Sequence, residues 1–443
     1  MSNQAEAEFT RIRTASFGNT VDPWRVSIAA SIGSFMEYYD FAVYGVLAIT
    51  IGPLFFPSNS PSAALLSALL VYAAAFVIRP VGGIVFGWLG DRHGRRGALI
   101  ITILGMGLAS AAIGLLPSYA KIGTAAPVLL VVLRIIQGFF AGGEVSGATT
   151  YIAECAPEGR RGFFCSINVA GVIAGSAAAA LTAAIIRTAV TPEAMSDWGW
   201  RIPFFLSLPL LGIGLYVRLR LADSPRFIEL EQKHKLSKLP IATVFRHHVA
   251  GVLRTLGLAF GMTVTGLFSS VYLFIYLVHV VKLPLGWASW AFAIVEWVAV
   301  VMTPYVGMIS DRFGRKLPVL VGFLIYFVLT PASMYVMEAH QLPVIGFMLL
   351  LLAIPHAAVQ GAVYPIYPEL FPTRVRYSGM AIGFNLAIIA GGGLAPYVSS
   401  KLVVLTGSPL GASLYVMFAA LVAILTLSTV RDIRKDCLLY TSD

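Results

Sequence analysis

The chain has 443 residues, of which 58% are hydrophobic and only 12% charged, and its mean hydropathy is +0.82. This is far more apolar surface than a soluble core needs, and the apolar runs are long, so a soluble globular protein is excluded and an integral membrane protein is indicated. The formal charge of +10 reads as a topological bias of Lys and Arg together with attraction to membrane lipid; no nucleic-acid partner is inferred from it.

Residues 1–25 are polar and carry no apolar stretch ahead of a cleavage site, so they read as a cytoplasmic segment and the first span itself directs insertion. Runs of about 20 apolar residues, enough to cross roughly 30 Å of hydrocarbon, predict spans over 26–48, 65–89, 98–116, 126–147, 163–187 and 202–221. A polar central loop over 222–253 follows, then six more spans over 254–279, 286–309, 317–337, 342–363, 376–400 and 409–430, and a cytoplasmic tail over 431–443. In the central loop, "DSPRFIELEQ" predicts a helix under the bundle, with Ser224 as N-cap and Pro225 as its first residue. Cys155, Cys165 and Cys437 have no metal-ligand spacing, and no disulfide is expected. The terminal "CLLYTSD" matches nothing in the pattern and is left out of the fold reading.

With the amino terminus inside, the only Lys and Arg on the outer side are Lys121, Arg187, Arg201, Lys282 and Lys401, while Arg79 and Arg134 lie within spans. Both termini are therefore expected in the cytoplasm. The chain also repeats itself. "GWLGDRHGRR" from Gly87 returns as "GMISDRFGRK" from Gly307, and "ECAPEGRR" from Glu154 returns as "ELFPTRVR" from Glu369. Two motifs recurring at nearly one period, in the loops after the second and fourth spans of each set, indicate two homologous six-span halves. The expected fold is an all-α membrane protein of twelve transmembrane helices in two pseudo-symmetric six-helix halves around a central cavity.

On these residues the chain resembles the major facilitator superfamily, up to about residue 431. The loop fits Gly-x-x-x-Asp-Arg-x-Gly-Arg-Arg, and "RIIQGFFAGGE" from Arg134 fits the fourth-span pattern. "SFMEYYDFAVYG" from Ser34, "FVIRPVGG" around Arg79, "WGWRIPFF" from Trp198 and "DSPRF" look like the metabolite:proton symporter branch. The resemblance implies proton-coupled uptake of small metabolites by alternating access across a cell membrane, that of a bacterial inner membrane. Organic carboxylates are the usual substrates, with zwitterionic osmolytes in a few members that typically bear a long carboxy-terminal coiled coil; about a dozen residues follow the last span here. By the same resemblance the first and fourth spans border the cavity.

Glu37 and Asp40 lie three residues apart on the first span, at roughly 16 and 21 Å from its inner end, and share one helical face. Arg134 comes out at a similar depth, roughly 18 Å above the inner edge, and Arg79 nearer the cytoplasm, at roughly 9 Å. The expectation is a Glu37/Asp40 pair facing Arg134, in which a proton and a substrate carboxylate compete for the arginine. The other reading is a static ion pair that locks helices. Gln137, one turn from Arg134, is expected to orient it, and Asn385 either contacts substrate or joins helices. Glu296 is a second candidate proton site. His356, beside Pro355, titrates in a useful range, but a lone histidine next to a proline is more often a satisfied residue of the bundle. Tyr44, Tyr272 and Tyr276 either line the pocket or pack. Gly142 with Gly143, Gly171 with Gly175, and 391–393 should allow close helix approach.

For the gate, the resemblance implies that the loop of Asp91, Arg92, Arg95 and Arg96 bridges the halves, with Asp91 at the amino end of a neighbouring span and the arginines reaching Glu144 or Glu154, and with Asp311, Arg312 and Arg315 contributing less. No His-Glu-x-x-His, phosphate-cradling loop or Cys/His set is present, so neither an enzyme nor a cofactor or metal is expected. Two intramembrane arginines favour a small organic anion such as a di- or tricarboxylate or an aromatic acid. The alternatives are a zwitterionic osmolyte of the proline/betaine type and a non-transporting sensor. The partners are the small-molecule substrate and a proton, and a monomer is compatible with everything above.

Overall fold

A computed structural model of the chain describes residues 22–58, 60–220, 240–338, 341–372 and 375–430, without the side chains of Asp91, Arg95 and 240–242. The expected central-loop helix from Asp223, Cys437 and the "CLLYTSD" tail lie outside these residues. Among the described residues, twelve helices are long and apolar enough to cross a membrane: Pro23–Phe55, Pro61–Gly90, Arg96–Leu115, Ala125–Cys155, Arg161–Ala189, Gly199–Leu219, Val249–His279, Leu285–Phe313, Lys316–Met337, Leu342–Glu369, Arg376–Thr406 and Leu410–Thr429. Each overlaps one predicted span.

Several helices run past the hydropathy boundary. The fourth continues from 147 to Cys155 because its polar residues Thr149 and Thr150 are buried against neighbouring helices rather than facing lipid. The first begins where Asp22 accepts the Trp24 N–H at 3.0 Å and Pro23 occupies the first helical position, two ordinary start signals. After the second and eighth spans the chain turns at Gly94 (φ 100°) and Gly314 (φ 94°). That backbone region is costly for any residue with a Cβ, which explains why both copies of the repeated loop carry glycine there.

The first helix packs along the fifth, and the two halves meet where the fifth runs along the eighth and the second along the eleventh. Exchanging the halves maps the second span onto the eighth and the fifth onto the eleventh, so the two interfaces are pseudo-symmetry mates. Within the first half, small residues set the closeness of the fifth helix to the first and of the fourth to the second. A Cβ on Gly175 would strike the backbone of Phe35 and Tyr39, and one on Gly142 the backbone of Arg79 and Gly82, so neither helix pair could approach this far with alanine in place. Leu108, Val328 and Leu405 lie outside, on the surface that lipid would cover.

Candidate functional site

Two broken helices build the charged centre of the first half. The second span is interrupted at Ile78, just before Arg79–Pro80, because a proline without an N–H cannot continue the ladder. The fourth is interrupted at Gly142–Gly143. These breaks face each other, and the carbonyls of Ala141 and Gly142 at the second of them take part in one network with Arg79. Arg79 donates Nη2 to Glu37 Oε1 and to the Ala141 carbonyl (3.3 Å), and Nε to Asn385 Oδ1 at 3.4 Å. Asn385 in turn donates Nδ2 to the Gly142 carbonyl at 2.8 Å. Asn385 belongs to the eleventh span, so this network joins the halves.

The expected Glu37/Asp40 pair facing Arg134 is corrected by this geometry. Glu37 binds Arg79, and Asp40 accepts from the Ser207 hydroxyl of the sixth span. Residues three apart on a helix differ by about 60° in direction, which is enough to send the two carboxylates to different neighbours. Arg79 reaches Glu37 despite its lower backbone because its long side chain spans the difference in depth. Arg134 lies among the rings of Tyr44 (4.4 Å), Phe41 (4.9 Å) and Tyr72 (5.4 Å) and donates Nη1 to Gln137, itself bonded to Ser110. Its Nε and Nη2 are buried without hydrogen-bond partners.

Between the halves lies a cavity of about 400 Å³. Tyr38 and Phe76 line it from the first half, and Ser270, Glu296, His356 and Gln360 from the second. An adjoining space of about 270 Å³ shares Tyr38 and Phe76 and reaches Glu37 and Arg79, so the ion pair and Glu296 stand on the walls of neighbouring spaces. The seventh span changes to a π turn over Phe268–Tyr272, which carries Ser269 and Ser270. Tyr326 bonds Ser269 (2.7 Å) and His356 Nδ1 (3.2 Å).

Tyr44 and Tyr276 donate to the carbonyls of Ala68 (3.2 Å) and Met334 (3.0 Å), and Tyr272 stacks near Phe268 (5.4 Å); none of the three lines these cavities. They are packing residues in this conformation. Tyr38, Phe76, Ser270 and Gln360 take the wall positions instead. Tyr38 carries no signal beside the charges of Glu37 and Asp40, and a serine or glutamine in an apolar span gives only a weak one.

On the face carrying the repeated loops, the motif face, several contacts among the described residues join the halves. Asp311 accepts the N–H groups of Gly162 and Phe163, each at 2.8 Å, in the first turn of the fifth span. Glu154 pairs with Arg376 at 3.6 Å, and the Tyr377 hydroxyl donates to the Gly143 carbonyl at 2.6 Å. Arg315 pairs with Glu369 at 2.9 Å within the second half. Glu144 does not meet the loop arginines as expected: it lies inside the fourth span, fully buried, paired with Arg218 and bonded by Thr102 at 2.8 Å. Arg96 donates to the Leu219 carbonyl, Arg92 lies over Trp88 (5.5 Å) and Arg312 over Phe313 (5.3 Å). Asp311 thus caps a helix across the interface, while the side chain of Asp91, the residue beside which it was expected to count for less, lies outside the described ones. On the opposite face Arg187 donates to the Val46 carbonyl (2.9 Å) and to the Ser289 hydroxyl (3.1 Å), and lies 5.2 Å from the Phe274 ring. Ser289 and Phe274 belong to the other half.

The family model described as "Sugar (and other) transporter" matches residues 26–243 and again 229–434. The chain is 37% identical over 410 residues to the glycine betaine/proline/ectoine/pipecolic acid transporter OusA of Dickeya dadantii (strain 3937), across 90% of this chain and 81% of that one. It is 34% identical over 452 residues to the inner membrane metabolite transport protein YhjE of Escherichia coli (strain K12), across 98% of each chain. Its fold is similar to that of the xylose transporter XylE from E. coli in a partially occluded inward-open conformation, with a TM-score of 0.74, 20% identity, and coverage of 94% of this chain and 99% of that one. At that identity the likeness concerns the fold alone. With twelve spans, a repeated loop in each half and family matches running nearly end to end, the chain belongs to the sugar (and other) transporter family of the major facilitator superfamily, a family of transporters and not of enzymes.

Proposed function

We propose that this protein is a proton-coupled symporter that takes up a small zwitterion of the proline/betaine class, rather than the organic anion its two intramembrane arginines suggest. The observation that carries this reading is the occupancy of Arg79: Glu37 already neutralises it, so the cavity walls offer an ion pair and one further acid, Glu296, instead of a free cation for a net anion. A zwitterion adds no net charge to such a space and has one end for each sign. The substrates in OusA's name support the same class.

In the proposed cycle a proton on Glu37 releases Arg79 to meet the substrate carboxylate, with Asn385 beside it. When the substrate leaves, Glu37 reclaims the arginine. Asp40, bonded by Ser207, and Arg134, bonded to Gln137, form a second place for the same competition. The halves are taken as residues 26–221 and 254–430, with both termini and the motif face in the cytoplasm of a bacterial inner membrane. Uptake into proteoliposomes with an acidic exterior tests this. Labelled glycine betaine, proline or ectoine should accumulate and be lost on adding a protonophore. Accumulation of a dicarboxylate or tricarboxylate alone would overturn the zwitterion reading.

A further inference from the structure

Glu296 is buried (2% exposed) near the middle of the eighth span, and its Oε2 has no hydrogen-bond partner. The charged side chains on the walls of the two adjoining cavities are Glu37, Arg79 and Glu296. The first two satisfy each other. Among the described residues no Lys or Arg pairs with Glu296. A carboxylate held in the membrane interior without a counter-charge is costly, and such groups face a water-filled path or a ligand rather than lipid. His356 Nε2 and Gln360 Oε1, also buried and without partners, line the same cavity.

The rest of the lining decides what kind of cation belongs there. Tyr38 and Phe76 offer aromatic surface, while Val172, Ile173, Met262 and Leu267 offer hydrocarbon. Aromatic faces attract cations, and the hydrocarbon on the rest of the wall packs best against a nitrogen that carries carbon substituents. Arg79 and Asn385 stand at the other end, on the adjoining space. We infer that Glu296 is the subsite for the positive end of the substrate, and that the cation it selects is a methylated or ring-substituted ammonium. This rests on the zwitterion reading above and assigns the two ends of the substrate to different halves: carboxylate to Arg79 in the first, cation to Glu296 in the second. His356, fixed through Nδ1 by Tyr326, and Ser270 on the π turn border the same end.

The test uses the full chain in proteoliposomes and counterflow exchange, which needs no proton gradient. Labelled glycine betaine is competed with 3,3-dimethylbutanoate, its carbon isostere without the positive charge. The parent should prefer the betaine by roughly 100-fold. In Glu296→Gln the betaine affinity should fall about tenfold or more while that of the isostere changes less than about threefold, so the preference collapses. Glu296→Asp, which keeps the charge, should keep the preference. An unchanged ratio in Glu296→Gln overturns the assignment, as does a variant that loses only gradient-driven accumulation, which would make Glu296 a proton site.

A second measurement on the parent stands if Glu296→Gln does not fold. Modification of Glu296 by dicyclohexylcarbodiimide, read by mass spectrometry, should be slowed by glycine betaine and not by the isostere; equal protection or none overturns the assignment. A parent that exchanges carboxylates and neither glycine betaine nor proline fails earlier, at the transport reading itself. A parent that exchanges zwitterions with an indifferent Glu296 fails only here.

Discussion

Removing one member of the Glu37–Arg79 pair leaves the other as a buried ion whose remaining contacts are neutral. Breaking such a pair costs on the order of 3–5 kcal/mol, more than replacing both members together. Glu37→Gln should therefore lower the thermal stability of the detergent-solubilised protein more than the double variant Glu37→Gln/Arg79→Gln does. It should also lose gradient-driven accumulation while retaining counterflow, because Arg79 stays free for the substrate when no proton is needed to release it. Accumulation equal to the parent's would move proton coupling to Asp40 or Glu296. The identities of these charges were legible because each interrupts an apolar run. Their pairing was not, because depth along a helix is known only to within an arginine's reach. Arg79 and Arg134 both fell inside that margin, and the ring cluster of Phe41, Tyr44 and Tyr72 that holds Arg134 comes from two different spans.

Helix ends and helix breaks carry the next level of control. Asp311 occupies the amino end of the fifth span, where unpaired N–H groups and the helix dipole favour a negative charge. Its equivalent by the repeat is Asp91. Asp311→Asn keeps one acceptor and loses the charge, a change worth about 1–2 kcal/mol, or roughly a five- to thirtyfold shift in a two-state equilibrium. Because Gly162 and Phe163 sit in the opposite half, the contact exists only with the motif face closed, and the variant should populate the state open on that face. Spin labels across the motif face should move apart, as read by dipolar spectroscopy. An unchanged distance distribution would reduce Asp311 to a local helix cap. All twelve spans were legible at this scale because lipid demands long apolar runs. The π turns at Phe268–Tyr272 and Ile389–Gly393 were not: nothing in Phe268–Tyr272 marks a wider turn, and the three glycines at 391–393 loosen a helix without choosing the form that the packing of neighbours selects.

At the scale of the whole molecule the two faces compete. Asp311, Glu154–Arg376 and Tyr377 hold the halves together at the motif face, and Arg187 holds them at the other, while the cavity lies between. Alternating access requires that these sets be broken in turn, so weakening one set should favour the state in which that face is open. Two of the three Arg187 contacts, to Ser289 and Phe274, cross between halves, whereas the Val46 bond stays within the first half and persists in either state. Arg187→Gln therefore forfeits a charged hydrogen bond and a cation–ring contact that only the closed form of this face provides, about 1–2 kcal/mol in all. Labels across the mouth opposite the motif face should separate and those across the motif face approach, the reverse of Asp311→Asn. Since both substitutions act on one equilibrium from opposite sides, the double variant Asp311→Asn/Arg187→Gln should return the distance distributions toward those of the parent while lowering overall stability. Should the double variant instead show both mouths widened at once, the two faces open independently, and rigid rocking of the halves about the cavity is not how this molecule moves.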